Sequence, residues 1–157
     1  MSSPERSEIE LTFGSDIGFL DLVQEISDSI SRLAGFGADD LYWIGLSVRE
    51  AVTNAIQHGN KQDPEKRVRI VFQLTVDRIR IIVRDQGRGI RDSEIPDPLD
   101  PENLLKPRGR GIFFVRSFMD NVRFHVRPEG GHEVIMEKLR SSKNEGEENE
   151  NRNSNRE

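Results

Sequence analysis

The sequence predicts an α+β domain, a two-layer α/β sandwich in which helices cover one face of a mixed, mainly antiparallel sheet. Helical periodicity appears in residues 17–34 and 40–58, and alternating strand patterns appear in residues 67–76 and 79–83. Helices and antiparallel strands are segregated along the chain, which is typical of this fold class. A chain of 157 residues suits one domain.

Composition narrows the classes of partner. The net charge of -5 and the charged fraction of 32% leave no basic surplus that would favour nucleic acid. The absence of cysteine excludes disulfides and thiolate metal sites. No apolar run approaches the roughly 18 residues of a membrane span, and residues 1–8 do not resemble a secretion signal. We therefore expect a cytoplasmic protein that contacts neither DNA nor membrane.

The two ends of the chain differ in composition from its middle. Residues 141–157 contain no Val, Ile, Leu, Met or aromatic residue, so burial could not offset the entropy of ordering them. We expect a flexible N-terminus at residues 1–8, a folded domain at residues 9–140 and a disordered polar tail at residues 141–157.

The first half of the domain has a clear order of elements. Apolar residues at every second position of residues 9–13 predict a strand. Apolar residues three or four apart then predict helices at residues 17–34 and 40–58, which Gly35 and Gly37 separate.

The second helix is the most informative. Its apolar stripe covers one side, and Glu50, Asn54 and His58 form a row along the border of that stripe. A polar row at the border of a core often lines a cleft.

The second half of the domain combines strands with glycine loops. Residues 67–76 and 79–83 predict an antiparallel hairpin with one buried face. Residues 85–89, Asp-Gln-Gly-Arg-Gly, end its second strand. Residues 91–107 hold four prolines and several acids, and a loop of this length in a compact domain predicts a lid.

A third helix is expected to open at Gly109, Arg110 and Gly111. Alternating apolar residues then predict strands at residues 122–126 and 133–139. Glycine amides at a helix start favour an anion, so this loop is a candidate phosphate-binding site. Most glycine-rich segments, however, only form turns and bind no ligand.

Individual side chains allow two interpretations. Asp85 could accept a hydrogen bond from the exocyclic amine of a purine, or it could simply form an Asx-turn. Glu50 could polarise a hydroxyl, or it could be solvated like most mid-helix glutamates. Asn54 offers a carbonyl oxygen to Mg²⁺, and His58 suits a helix end.

Three segments together resemble a known family. These are residues 50–59 (EAVTNAIQHG), 85–89 (DQGRG) and 108–120 (RGRGIFFVRSFMD). They look like the nucleotide boxes of histidine-kinase-like ATPases and occur in that family's order. The resemblance covers residues 9–139 and implies the Bergerat ATP-binding fold. Within that superfamily the sequence is most similar to bacterial anti-sigma factor serine/threonine kinases, which switch between a sigma factor and an anti-anti-sigma protein.

The resemblance implies a role for each matching position. Asp85 would read the adenine amino group, Asn54 would hold Mg²⁺, and Glu50 would be the general base towards a partner's serine. The implied nucleotide-binding set is completed by His58, Gly87, Gly89, Ile90, Lys106, Arg108, Gly109, Arg110, Gly111 and Ile112.

Two departures from the family pattern stand out. Lys106, Arg108 and Arg110 are all candidates for contact with the terminal phosphate, because Pro107 interrupts the family's sequence pattern here. His132 stands where the family often has threonine, so a hydroxyl contact to the nucleotide would be missing.

The resemblance implies an ATP- and Mg²⁺-dependent serine kinase that phosphorylates an anti-anti-sigma antagonist and sequesters a sigma factor. The alternative is a non-catalytic, ATP-gated protein-binding module. A histidine kinase fragment fits less well because the chain lacks a dimerising hairpin with a phosphoacceptor histidine. The family also implies a homodimer, and the strand at residues 9–13 is a candidate edge for pairing.

Overall fold

The computed structural model describes residues 7–89, 100–103 and 107–141. In chain order, the helices and strands of the described part are β1 (Ser7–Gly14), α1 (Leu20–Leu33), α2 (Ala38–Asn54), β2 (Arg67–Leu74), β3 (Arg78–Asp85), α3 (Pro107–Phe118), β4 (Asn121–Val126) and β5 (His132–Leu139). Within these residues, no helix has the length and apolar character needed to cross a membrane.

The strands form one five-stranded sheet in the order β1-β2-β3-β5-β4. The predicted two-layer α+β fold is confirmed, but every pairing in the described sheet is antiparallel, so the expectation of a mixed sheet is corrected. The reason lies in the connection from β3 through α3 to β4. That crossover makes β3 and β4 parallel to each other, and β5 then returns between them, so the two parallel strands never pair.

The core lies between the sheet and the helices. Alternate residues of β2 and β3 are fully or almost fully buried and face apolar residues from the underside of α2. The central members of this core are Ile44, Val48, Val52, Val68, Ile70, Phe72, Ile79, Ile81 and Val83. Burial of each such side chain contributes roughly 1.5–3 kcal/mol, which fixes how α2 is rotated on the sheet.

The opposite face of the sheet is covered by its own long side chains. Val71 and Ile82 lie in the middle of this face and are only 4% and 8% exposed. Ion pairs between neighbouring strands flank them, namely Arg69–Glu10, Arg80–Glu137 and Arg84–Glu133. Arg80–Glu137 and Arg84–Glu133 lie directly opposite each other and Arg69–Glu10 is a diagonal pair, so all three tie neighbouring strands together beside the apolar middle.

Several boundaries differ from the sequence pattern. β1 begins at Ser7 because Ser7 and Glu8 continue the pairing with β2. α1 is preceded by a 3-10 turn, Ile17–Phe19, whose Gly18 N–H donates to the Asp16 carboxylate at 2.8 Å. α2 ends at Asn54 and continues as a π-helical turn, Ala55–Gly59.

The predicted lid at residues 91–107 lies largely outside the described residues. Its described part consists of Asp100, a 3-10 turn at Pro101–Asn103, and Pro107, the first residue of α3. Residues 1–6 and the predicted tail beyond Ser141 also lie outside the described part of the chain.

Glu137 is the most buried acid of the outer face, at 5% exposure. Its carboxylate accepts hydrogen bonds from Arg80 Nε at 2.8 Å and Asn121 Nδ2 at 3.0 Å. Burial acts to raise the pKa of Glu137, but the hydrogen bonds from Arg80 and Asn121 outweigh it and hold the pKa below the ordinary 4.5. A lowered pKa means that ionised Glu137 stabilises the fold above pH 4.5, and that this contribution is lost as pH falls through the folded-state pKa.

Replacing Glu137 with glutamine should therefore lower stability at neutral pH by about 1 kcal/mol and weaken the loss of stability in acid. Urea unfolding between neutral and acidic pH measures both effects. Glu25→Gln, on the exposed side of α1, is the matched control and should leave the curve unchanged. Identical acid dependence of wild type and Glu137→Gln would contradict this account.

Candidate functional site

A cleft opens between α2, α3 and the strands β3, β4 and β5. The space inside it, open solvent at the mouth included, is about 560 Å³. Its apolar lining consists of Ala51, Ala55, Val83, Ile112, Val115, Phe124 and Val134. Its polar side chains are those of Asn54, His58, Asp85 and His132. Apolar walls with a few convergent polar groups suit a flat aromatic ligand that carries polar edges.

The fold brings several predicted site residues together in this cleft. Asn54, His58, Asp85, Gly89 and Ile112 all line it, although they come from three separate segments of the sequence. Asn54 is half-buried at the end of α2, whereas His58 is exposed in the π-helical turn. Asn54 and His58, two members of the predicted polar row, therefore face the cleft.

Glu50 lies beside the cleft, one turn before Asn54, and is half-buried. Its carboxylate packs directly against Gly111 of α3, where a Cβ would overlap Glu50 Oε1. The glycine at position 111 therefore makes room for the acid. This contact places the Glu50 carboxylate at the junction of α2 with the first turns of α3.

Asp85 is the last residue of β3 and is only 6% exposed. Its Oδ1 accepts a hydrogen bond from the Gly87 N–H at 2.8 Å, which is the Asx-turn that the sequence allowed. The same carboxylate also lines the cleft, so the two interpretations of Asp85 are compatible. Gly59, after α2, lies so close to this carboxylate that a Cβ there would overlap it.

His132 is a cleft residue that sequence reasoning did not place in the site. It is the register partner of Asp85 on the neighbouring strand, and its Nδ1 lies 3.5 Å from Asp85 Oδ2. His132 is 8% exposed, and its ring stacks on Phe124 with centroids 6.0 Å apart. The resemblance implies that the family often has threonine at this position, but the pairing of β5 with β3 was needed to see which acid the histidine faces.

The second glycine segment is positioned differently from the prediction. α3 begins at Pro107, so Arg108, Gly109, Arg110 and Gly111 lie within its first turns and do not precede the helix. Proline is favoured at the first helical position because its fixed φ suits the helix and the helix needs no N–H there. The end of α3 that favours an anion is therefore the turn that begins at Pro107.

The basic residues predicted to meet a terminal phosphate are only partly described. Arg110 is exposed on the first turn of α3, and the backbone of Arg108 and Gly109 lies in the same turn. Ile90 and Lys106 lie outside the described residues, so their roles stay predictions. Gly87 does not line the cleft but lies behind it, against Gly59.

The family model of the histidine kinase-like ATPase domain matches residues 18–138. The chain belongs to this family. The resemblance found in the three sequence segments is thereby confirmed, and the cleft lies where those segments meet.

The relatives of this chain include an anti-sigma F factor and serine-protein kinases RsbW. This chain is 41% identical over 104 residues to an anti-sigma F factor of Oceanobacillus iheyensis, and the match covers 64% of this chain and 70% of the relative. It is 30% identical over 135 residues to the serine-protein kinase RsbW of Staphylococcus epidermidis, covering 82% and 84% of the two chains. RsbW of Bacillus mycoides is 26% identical over 137 residues, covering 83% and 84%.

The lining of the cleft in this ATPase domain has the chemistry expected of a site for an adenine nucleotide. A purine ring suits the apolar walls, and the buried Asp85 carboxylate supplies an acceptor for an amino group. A carboxylate has room for about four hydrogen-bond donors, so the Gly87 N–H leaves capacity for a ligand.

Changing Asp85 to asparagine should weaken ATP binding at least about tenfold. The asparagine oxygen can still accept from the Gly87 N–H, but its amide nitrogen presents a donor to the donor amine of adenine. Calorimetric titration with Mg·ATP measures the loss. Asp77→Asn is the control, since Asp77 lies in the turn between β2 and β3, at the other end of β3 from Asp85. Equal affinities of wild type and Asp85→Asn would remove Asp85 from the base-binding site.

Proposed function

We propose that this protein is an ATP-dependent serine kinase and anti-sigma factor. It phosphorylates a serine on an anti-anti-sigma antagonist and sequesters a sigma factor in a partner switch. The observation that carries this proposal is the position of the Glu50 carboxylate, packed against Gly111 beside a cleft that is lined by apolar walls and Asp85. The names of its relatives, an anti-sigma F factor and serine-protein kinases, support both halves of the activity.

The proposed reaction transfers the γ-phosphoryl group of ATP to the serine hydroxyl. The serine oxygen forms a bond to the γ-phosphorus, the bond to the bridging oxygen of ADP breaks, and the hydroxyl proton passes to Glu50. Phosphoryl transfer depends mainly on positioning and on charge stabilisation. Glu50 suits the base role because it is half-buried and held against α3, so it meets the partner's hydroxyl in one orientation.

Asn54 is the residue that would hold Mg²⁺. Its amide lines the cleft one turn after Glu50, and magnesium commonly takes one or two protein ligands together with phosphate oxygens and waters. When bound, the ion supplies charge neutralisation at the phosphates. The first turn of α3, with Arg110, would supply further positive potential to them.

Phosphorylation would control which partner is held. A phosphate adds a charge of about -1.5 to -2 to the antagonist, and repulsion from this acidic protein favours release. Once the antagonist has left, the kinase is free to hold its sigma factor. The proposed setting is cytoplasmic, with regulation of transcription through protein partners and without contact to DNA.

Replacing Glu50 with glutamine tests the catalytic step. The proton acceptor is lost while the shape of the side chain is kept, so phosphorylation of the antagonist should fall roughly 10²–10⁴-fold. Affinity for ATP should stay within about twofold, because Glu50 does not line the cleft. Transfer of radiolabelled phosphate to the cognate antagonist measures the rate, and calorimetry measures ATP affinity.

Glu65→Gln, at the exposed turn before β2, is the matched control and should keep full activity. The alternative of a non-catalytic, ATP-gated module is motivated by His132 in place of a hydroxyl residue. It predicts that Glu50→Gln preserves partner switching entirely, so unchanged switching by this variant would decide against the kinase.

The homodimer would form through β1. This strand is one edge of the sheet and pairs with β2 along its whole length, which leaves its outer side available for a second copy. Two β1 strands pairing antiparallel would give a continuous sheet across a two-fold axis.

Thr12→Lys should weaken the dimer, because it places two like charges on the paired edges. His125→Lys introduces the same side chain on β4, the opposite edge of the sheet, and should leave the dimer intact. Light scattering over a range of concentrations measures the mass of each variant. If His125→Lys disrupts the dimer and Thr12→Lys does not, the interface lies at β4 and not at β1.

A further inference from the structure

Asn60 is a fully buried polar residue that does not line the cleft. It follows the π-helical turn at the end of α2. Its Nδ2 donates to Ser15 Oγ at 2.8 Å and to the Arg67 carbonyl oxygen at 3.0 Å. Its Oδ1 accepts from the Gln86 N–H at 2.7 Å. Both amide protons and the carbonyl oxygen are therefore used.

We propose that Asn60 is a positioning residue that holds the loop after β3, and with it the Asp85 carboxylate, in place for the base of the nucleotide. This inference rests on the proposed function, in which Asp85 reads the adenine amino group. Asn60 acts through the loop and does not touch the nucleotide itself.

The physical path from Asn60 to Asp85 is short. The bond from the Gln86 N–H to Asn60 fixes the residue that directly follows Asp85. Gly87, the next residue, returns its N–H to Asp85 Oδ1. Gly59, which precedes Asn60, packs against both the Asp85 carboxylate and Gly87, where a Cβ on either glycine would overlap its neighbour. The loop is thus clamped between the Asn60 side chain and the Gly59 backbone.

The backbone after Asn60 is strained in a way that supports this role. Lys61 and Gln62 have φ values of 52° and 56°, and among the described residues they are the non-glycine positions with positive φ. Such conformations persist only where the surroundings impose them. Here the Asn60 N–H donates to the Ala55 carbonyl at 2.7 Å and the Gln62 N–H to the Ile56 carbonyl at 2.8 Å. These bonds close the turn that carries Asn60 into the interior.

The network offers a matched control that separates positioning from general stability. Ser15→Ala removes one acceptor of the Asn60 amide and a bond to the Lys66 carbonyl, but leaves the bond to the Gln86 N–H intact. A purely structural role of Asn60 predicts that Ser15→Ala and Asn60→Ala behave alike. A positioning role predicts that only Asn60→Ala affects the loop.

The first measurement is amide hydrogen exchange in the nucleotide-free protein. Asn60→Ala should speed exchange of the Gln86 N–H at least about tenfold, while the amides of β2 and β3 stay protected. Ser15→Ala should leave exchange of Gln86 unchanged. Slow exchange of Gln86 in Asn60→Ala would overturn the proposal.

The second measurement compares affinities for ATP and for inosine triphosphate, whose base has a carbonyl oxygen in place of the adenine amino group. Wild type should prefer ATP at least about tenfold, because Asp85 cannot accept from a carbonyl. Asn60→Ala should reduce this preference at least about fivefold, whereas Ser15→Ala should keep it. Faster exchange of Gln86 with an unchanged preference would also overturn the proposal.

Asn60→Asp provides a second variant should the alanine variant fail to fold. It keeps an oxygen for the Gln86 N–H and loses the donors to Ser15 and Arg67. Protection of Gln86 and preference for ATP should both survive in it, and loss of both in a folded Asn60→Asp protein would contradict the proposal. If wild type binds ATP and inosine triphosphate equally well, base recognition by Asp85 and this inference are both overturned. If wild type prefers ATP and Asn60→Ala keeps that preference, only this inference is overturned.

Discussion

The close approach of Gly59 to the Asp85 carboxylate is the contact on which the site depends. It joins the π-helical turn after α2 to the end of β3, and it leaves no room for a side chain at position 59. The contact forms because Ile44, Val48 and Val52 are fully buried against the sheet and fix how α2 lies on it. Burial of these side chains contributes several kcal/mol, so the end of the helix is held where Asp85 can line the cleft.

The same rotation of α2 also places its polar border. Val48 and Val52 point into the core, and at about 100° per residue Glu50 and Asn54 then lie on the side of α2 turned away from these two valines, where both are half-buried. One helix therefore supplies both the centre of the core and the polar residues beside the cleft. A substitution that shifted α2 on the sheet would move the proposed base and the proposed magnesium ligand together.

The sequence alone was sufficient to predict the helices and strands whose buried residues recur at a regular spacing. The amphipathic helices and alternating strands were predicted because burial of one face imposes a period on the chain. The position of β5 between β3 and β4, and hence His132 opposite Asp85, was not predicted, because strand order is a long-range property. The π-helical turn after Asn54 and the start of α3 at Pro107 were also missed, since helical periodicity locates helix ends only roughly.

The histidine opposite Asp85 remains compatible with recognition of adenine. Asp85 already accepts one hydrogen bond from the Gly87 N–H, and His132 Nδ1 lies at ion-pair distance from its other oxygen. A carboxylate has about four acceptor sites, so Asp85 still has room for an amino group. Stacking on Phe124 keeps the imidazole flat against the wall of the cleft. The acceptor on which the proposed recognition of the base rests is therefore still present in the cleft.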